Sequence, residues 1–160
     1  LRKLNNVAKN IVADELMNKI SYLSDLIRDK NSVIPGSYRV FRLSEYVYSL
    51  GCLLDKDTDI DGRRRKFLIE KVIKECRVPK VVCHALYQIK DYLDKDNLEM
   101  IREWRKRFED DNYFKNNGFE DGQIDFDMGS GRKISRNEIY CGFLDALVQS
   151  KYYMFENEDD

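Results

Sequence analysis

The stretch RRRKFLIEKVIKECRVPKVVCHALYQIKDYL, residues 63–93, decides the fold class. Apolar residues recur at Phe67, Leu68, Val72 and Ile73, then at Val81, Val82, Leu86, Ile89 and Leu93, a helical period in both segments. Between them stands Arg77-Val78-Pro79-Lys80. Proline fits the first turn of a helix and restricts the residue before it, so Val78 is expected to leave the first helix and Pro79 to open the second. The chain turns sharply at this joint. Two amphipathic helices so joined offer a packing surface, and no catalytic signature falls inside them.

Working outward, the pattern stays helical. An amino-terminal helix over 1–30 carries Leu4, Val7, Ile11, Leu16, Ile20, Leu23 and Ile27 on one stripe, expected to cover the core or to meet a partner helix. Ser32 to Ser37, with Pro35-Gly36, breaks the chain. A second helix is expected from about Phe41 to Leu54, with Leu43, Val47, Leu50 and Leu54 on one side, so that 41–93 forms a helical core. Asn97 is placed to cap a helix carrying Leu98, Ile101, Trp104 and Phe108. Asp110 to Gly131 has the composition of a long surface loop over 110–131. A carboxy-terminal helix over 135–155 follows, opened by a Ser135/Glu138 capping box and carrying Ile139, Phe143, Leu144, Leu147 and Val148. The acidic run Glu156 to Asp160 meets the negative end of that helix's dipole and is expected to fray. The expected architecture is an all-α, single-domain helical bundle spanning residues 1–160.

Composition narrows the function classes. Twenty-eight basic and 29 acidic side chains nearly cancel, so no global charge draws the chain to nucleic acid or to an anionic membrane. The basic residues Arg102, Arg105, Lys106 and Arg107 around Trp104 are answered by Glu99, Glu103, Glu109, Asp110 and Asp111, the pattern of a salt-bridged helix face. No apolar run approaches the roughly 20 residues that a membrane-spanning helix needs. The amino end has no apolar centre of a signal peptide. Cys52, Cys76, Cys83 and Cys141 show no paired short spacing and sit in apolar helical patterns, as buried reduced thiols do. Those features give an expectation of an intracellular protein of cytoplasm or nucleus, and they leave the oligomeric state open.

Two loops have partial calcium-site spacing. Such sites need oxygen ligands at alternating early positions, a glycine at the turn and a closing glutamate. Asp57-Thr58-Asp59-Ile60-Asp61-Gly62 opens well, but Arg63, Arg64 and Arg65 follow and Leu68 takes the place of the glutamate. In the second loop Asp127, Ile134 and Glu138 are correctly spaced, while Gly129 and Gly131 remove two ligands. Each is expected to be a turn that caps the next helix, with Asp127 and Glu138 the residues of the metal alternative. Neither a catalytic residue nor a cofactor is assigned. His84, the only histidine, adjoins Cys83, and neighbours on a helix point about 100° apart.

The run Arg65-Lys66-Phe67-Leu68-Ile69-Glu70-Lys71-Val72-Ile73, through Val78-Pro79, into Val82 to Leu93 resembles the first two helices of a cyclin box, nearest to those of fungal cyclins. Residues Arg136 to Tyr153, with Ser150-Lys151-Tyr152, are similar to the central cyclin-box helix. The resemblance covers somewhat under half the chain, skips a longer loop than usual, and takes in no fourth or fifth box helix. It implies a partial cyclin-like fold and a protein kinase as partner, with Lys151 matching the lysine that contacts the kinase's regulatory helix. The expected function is thus a non-catalytic protein-binding or regulatory domain, cyclin-like in form. The alternatives are a degenerate EF-hand-like helix-loop-helix protein and a helical adaptor or oligomerisation domain.

Overall fold

A computed structural model describes residues 6–28, 36–55, 59, 61–110, 112–113, 126–127 and 133–158, with 36–37, 126–127, 133–134, 136 and 151–158 described by backbone alone. The fold class is all-α. Helices α1 (Asn6–Arg28), α2 (Gly36–Cys52), α3 (Arg63–Phe67), α4 (Pro79–Gln88), α5 (Lys95–Glu109) and α6 (Arg136–Glu158) carry it, with a π-helical turn over Leu68–Ile73 and a 3-10 turn over Lys90–Tyr92. Two strands of two residues each, β1 (Phe126–Asp127) and β2 (Lys133–Ile134), pair antiparallel with Phe126 opposite Ile134 and Asp127 opposite Lys133. The described part of the expected 110–131 loop is limited to its first residues and to β1, so its character lies outside the described residues. The chain divides into two compact units, residues 1–92 and 93–160.

In the first unit the Pro79 joint forms as the sequence dictates. Val78 is extended, at φ −81° and ψ 115°, and Pro79 occupies the first turn of α4. Arg77 before it adopts a left-handed φ of 58°, the position where a helix end reverses the chain. The preceding helix differs from a plain α-helix. From Leu68 it widens into π winding, closed by Lys74 N–H donating to Ile69 O at 3.1 Å. Bonds of i to i+5 type lengthen the turn. Leu68, Val72 and Ile73 are thereby all fully buried.

α4 supplies the centre of this unit, with Val81, Val82, Ala85 and Leu86 wholly buried. α2 lies against it through Leu43, Val47 and Leu50, also wholly buried, and Leu54 beyond the helix end is buried too. At Gly51 the two helices come so close that an added Cβ would stand 2.3 Å from Gln88 Cβ. α1 runs antiparallel to α2: Arg39 near the start of α2 donates to Leu26 O near the end of α1, and Lys9 near the start of α1 meets Asp55 just after α2. Only part of the expected α1 stripe is used. Ile20 and Leu23 of that stripe are buried, with Ala13 beside them, whereas Val7 and Ile11 are exposed.

The second unit is built on aromatic rings. Trp104 and Phe108 of α5 are buried, 5.5 Å apart between centroids, and Tyr140 of α6 stands 5.8 Å from Phe108. Asp94, rather than Asn97, caps α5: Asp94 Oδ1 accepts from Asn97 N–H, and Asn97 Oδ1 accepts from Asp94 N–H. From α6 the buried face is Cys141, Leu144 and Leu147, while Ile139 is exposed. The acidic residues expected to fray are helical as far as Glu158.

Candidate functional site

Glu138 stands where the capping box puts it. Its carboxylate accepts from Ser135 N–H at 2.9 Å, and Ser135 Oγ accepts from Glu138 N–H at 3.3 Å. That carboxylate is engaged at the start of α6. Asp127 has its backbone in β1, and its side chain lies outside the described residues. In the first loop, Asp59 is buried and its Oδ1 accepts from Arg64 N–H at 2.8 Å; Asp61 Oδ1 accepts from Arg63 N–H at 3.1 Å. Both aspartates serve the first turn of α3, entered through Gly62 at φ 68°. Residues 57, 58 and 60 of this loop are outside the described residues. Arg64, buried, donates to Leu53 O at 3.0 Å and to Asn10 Oδ1, tying α3 to α1 and to the end of α2. Among the described residues no group of three His, Cys, Asp or Glu is placed to hold a metal ion.

On α4 His84 faces outward with part of its surface in water, whereas its neighbour Cys83 is buried. Partial burial of the ring, followed by the charge of Lys80 one turn back, lowers the imidazole below its usual value. Of the four cysteines, Cys76, Cys83 and Cys141 are buried; Cys52 is exposed at the end of α2, contrary to the expectation for it. Burial pushes the Cys141 thiol up, and its Sγ lies 3.7 Å from Arg105 O. Lys151 is helical in α6, and its side chain is outside the described residues.

Between α5 and α6 runs an open groove of about 290 Å³, floored by Ile101, Leu144 and Val148. Its rim is neutralised. Arg105 Nε donates to Asp145 Oδ1 at 2.5 Å and Nη1 bonds Glu109, two hydrogen bonds that raise the guanidinium's pKa. Arg102 pairs with Glu99 at 3.4 Å. Asp145 is an exposed member of this rim.

Among the described residues, the outer side of α2 forms a regular surface feature. Tyr38, Phe41, Glu45, Tyr48 and Cys52 are all exposed and follow one another at alternating spacings of three and four residues. At 3.6 residues per turn this seam lies roughly 170° from the inward set Leu43, Val47 and Leu50. Tyr38, Phe41 and Tyr48 each leave about half of their surface in water, at 51%, 51% and 54%. Arg42 locks two of the five together. Its Nε donates to the Tyr38 hydroxyl at 3.1 Å, its Nη1 to Glu45 Oε2 at 3.1 Å, and its guanidinium sits 5.3 Å from the Tyr38 ring centre.

No known protein family, curated protein or solved structure matches this chain. Its own surface is what bears on function.

The α2 seam escaped the sequence reading for a local reason. Pro35-Gly36 signals a break through residue 37, so the helix was expected from Phe41, whereas it starts at Gly36 and includes Tyr38. The available signal was the three-four spacing itself, readable once Leu43, Val47 and Leu50 are assigned inward. Among the described residues no helix is long and apolar enough to cross a membrane.

Proposed function

We propose that this chain is a protein-binding module that works by presenting a preformed helix face to another protein, with no reaction of its own. The observation that carries this reading is the α2 seam: three half-exposed aromatic side chains in helical register, Tyr38 among them held by Arg42, on a helix whose opposite side is committed to the core. Aromatic side chains with few rotatable bonds, already ordered, lose little entropy on binding. Exposed aromatic surface gathered on one helix face marks interaction sites more often than isolated exposed residues do.

The partner class rests on sequence resemblance alone. The order of helices over residues 65–93 and 136–153 is similar to that of a cyclin box, which makes a protein kinase the partner to test first. The mechanism would then be allosteric: a rigid helical surface binds the active arrangement of the kinase better than the inactive one and shifts its population. Lys151 would donate hydrogen bonds to a carbonyl or carboxylate of that kinase.

The experiment is affinity capture with the full chain followed by mass spectrometry, run beside Phe41→Glu and Lys151→Ala. The expected result is a protein retained by the wild type and lost with Phe41→Glu. If that protein is a kinase, Lys151→Ala lowers its affinity by about 1 to 3 kcal/mol, the scale of a contact to a charged group. Capture that ignores Phe41→Glu would overturn the reading.

A further inference from the structure

We infer that the outer seam of α2 is a self-association surface, on which α2 of a second copy lies antiparallel about a two-fold axis level with Leu43. The inference rests on the binding reading above and names the occupant of that same face. Residues at alternating spacings of three and four form the contact seam of paired helices, each side chain seating between residues of the facing helix. The α2 seam is self-complementary in one orientation. With the axis at Leu43, Tyr38 of one copy faces Tyr48 of the other, and Phe41 faces Glu45, each contact occurring twice, as an isologous interface requires. The outer layers are then aromatic on aromatic.

Charge selects the same orientation. A parallel, in-register pair would set Glu45 against Glu45 at the centre of the seam, two like charges withdrawn from water. The antiparallel pair separates them and brings each Glu45 beside Phe41 and within reach of Arg42 of the other copy. Arg42 already bonds its own Glu45, so the carboxylate enters the contact with a cation attached. A single charged seam position lowers affinity and fixes register. The dimer is therefore a weak one that depends on concentration.

Cys52 reports the orientation. It lies nine residues from the axis, so at 1.5 Å per residue the two copies of Cys52 stand roughly 27 Å apart in the antiparallel pair, beyond any disulfide. In a parallel pair they would be adjacent. Sedimentation velocity of the full chain across the micromolar range is expected to show monomer giving way to dimer, with Tyr48→Glu remaining monomeric at every concentration. Oxidation of a mixture of Tyr38→Cys and Tyr48→Cys chains, both in a Cys52→Ser background, is expected to give a covalent dimer containing one of each. Native Cys52 is expected to give none. A Cys52–Cys52 disulfide dimer would overturn the antiparallel arrangement. A wild type that stays monomeric throughout overturns self-association altogether; the protein-binding reading then stands if Phe41→Glu still abolishes capture of another protein, and falls with it if capture is unchanged.

Discussion

The two sides of α2 use the same spacing for opposite ends. Inward, Leu43, Val47 and Leu50 are fully buried branched aliphatics, and Gly51 lets the helix backbone close on Gln88. Outward, Tyr38, Phe41 and Tyr48 carry a polar atom or an aromatic face and stay half in water, with Arg42 and Glu45 between them. The inner side has aliphatic shapes that lock against α4, with buried Arg39 beside them donating to Leu26 O of α1. The outer side has rings and paired charges that are stable in water and still gain from being covered. One helix thus serves as scaffold on one face and as contact surface on the other, and substitutions should separate the two roles.

The largest effect is expected inside. Leu50→Ala should cost about 2 to 5 kcal/mol of stability, since a fully buried side chain leaves a cavity that its neighbours only partly close. Chemical denaturation would measure it; a loss below about 1 kcal/mol, the range of volume-conserving swaps, would mean that the inner side is not core. Next comes Gly51→Ala. Its new methyl meets Gln88 Cβ, an atom fixed to the α4 backbone, and the forced separation of the helices should cost about 1 to 3 kcal/mol despite alanine's better helix propensity. Gly142 provides the counterpart, because an added Cβ there has nothing within 4 Å. Gly142→Ala should raise stability by about 0.5 to 1 kcal/mol, and a destabilised variant would show that α6 is covered where it now stands open.

The smallest effect belongs to His84. Its folded pKa is lowered, by burial first and by Lys80 second, so the unfolded chain takes up the proton more readily. Stability should therefore be intact above the usual imidazole value of about 6.5 and decline as pH falls through it toward the folded pKa. Melting curves of wild type and His84→Asn between neutral and mildly acidic pH would show the decline in the first and its loss in the second. Equal slopes would remove the linkage.

How legible these features were in the sequence depended on whether they are local. The Pro79 joint, the buried face of α4 and the Ser135/Glu138 box each follow from a few neighbouring residues, and each stands where the pattern placed it. Asn97 and Asp94 are both cap-forming residues three positions apart, and the sequence does not say which of two reciprocal partners precedes the helix. The π winding from Leu68 is invisible to an apolar period, because it answers the packing of Leu68, Val72 and Ile73 against the rest of the unit. For the outer side of α2, aromatic residues at helical spacing are ordinarily core; only the burial of Leu43, Val47 and Leu50 on the opposite side shows that these face outward.

The claim that α2 divides into scaffold and contact faces meets its most direct test in the concentration dependence of the melting temperature. Whatever binds only the folded chain stabilises it by mass action, so a self-associating protein melts higher as its own concentration rises. The wild type is predicted to melt progressively higher with concentration, and Tyr48→Glu to match the dilute wild-type value at all concentrations. A wild-type melting temperature that does not move with concentration, or a Tyr48→Glu chain that melts far below the dilute wild type, would contradict the account: the first leaves the outer face without its second copy, and the second makes that face part of the core.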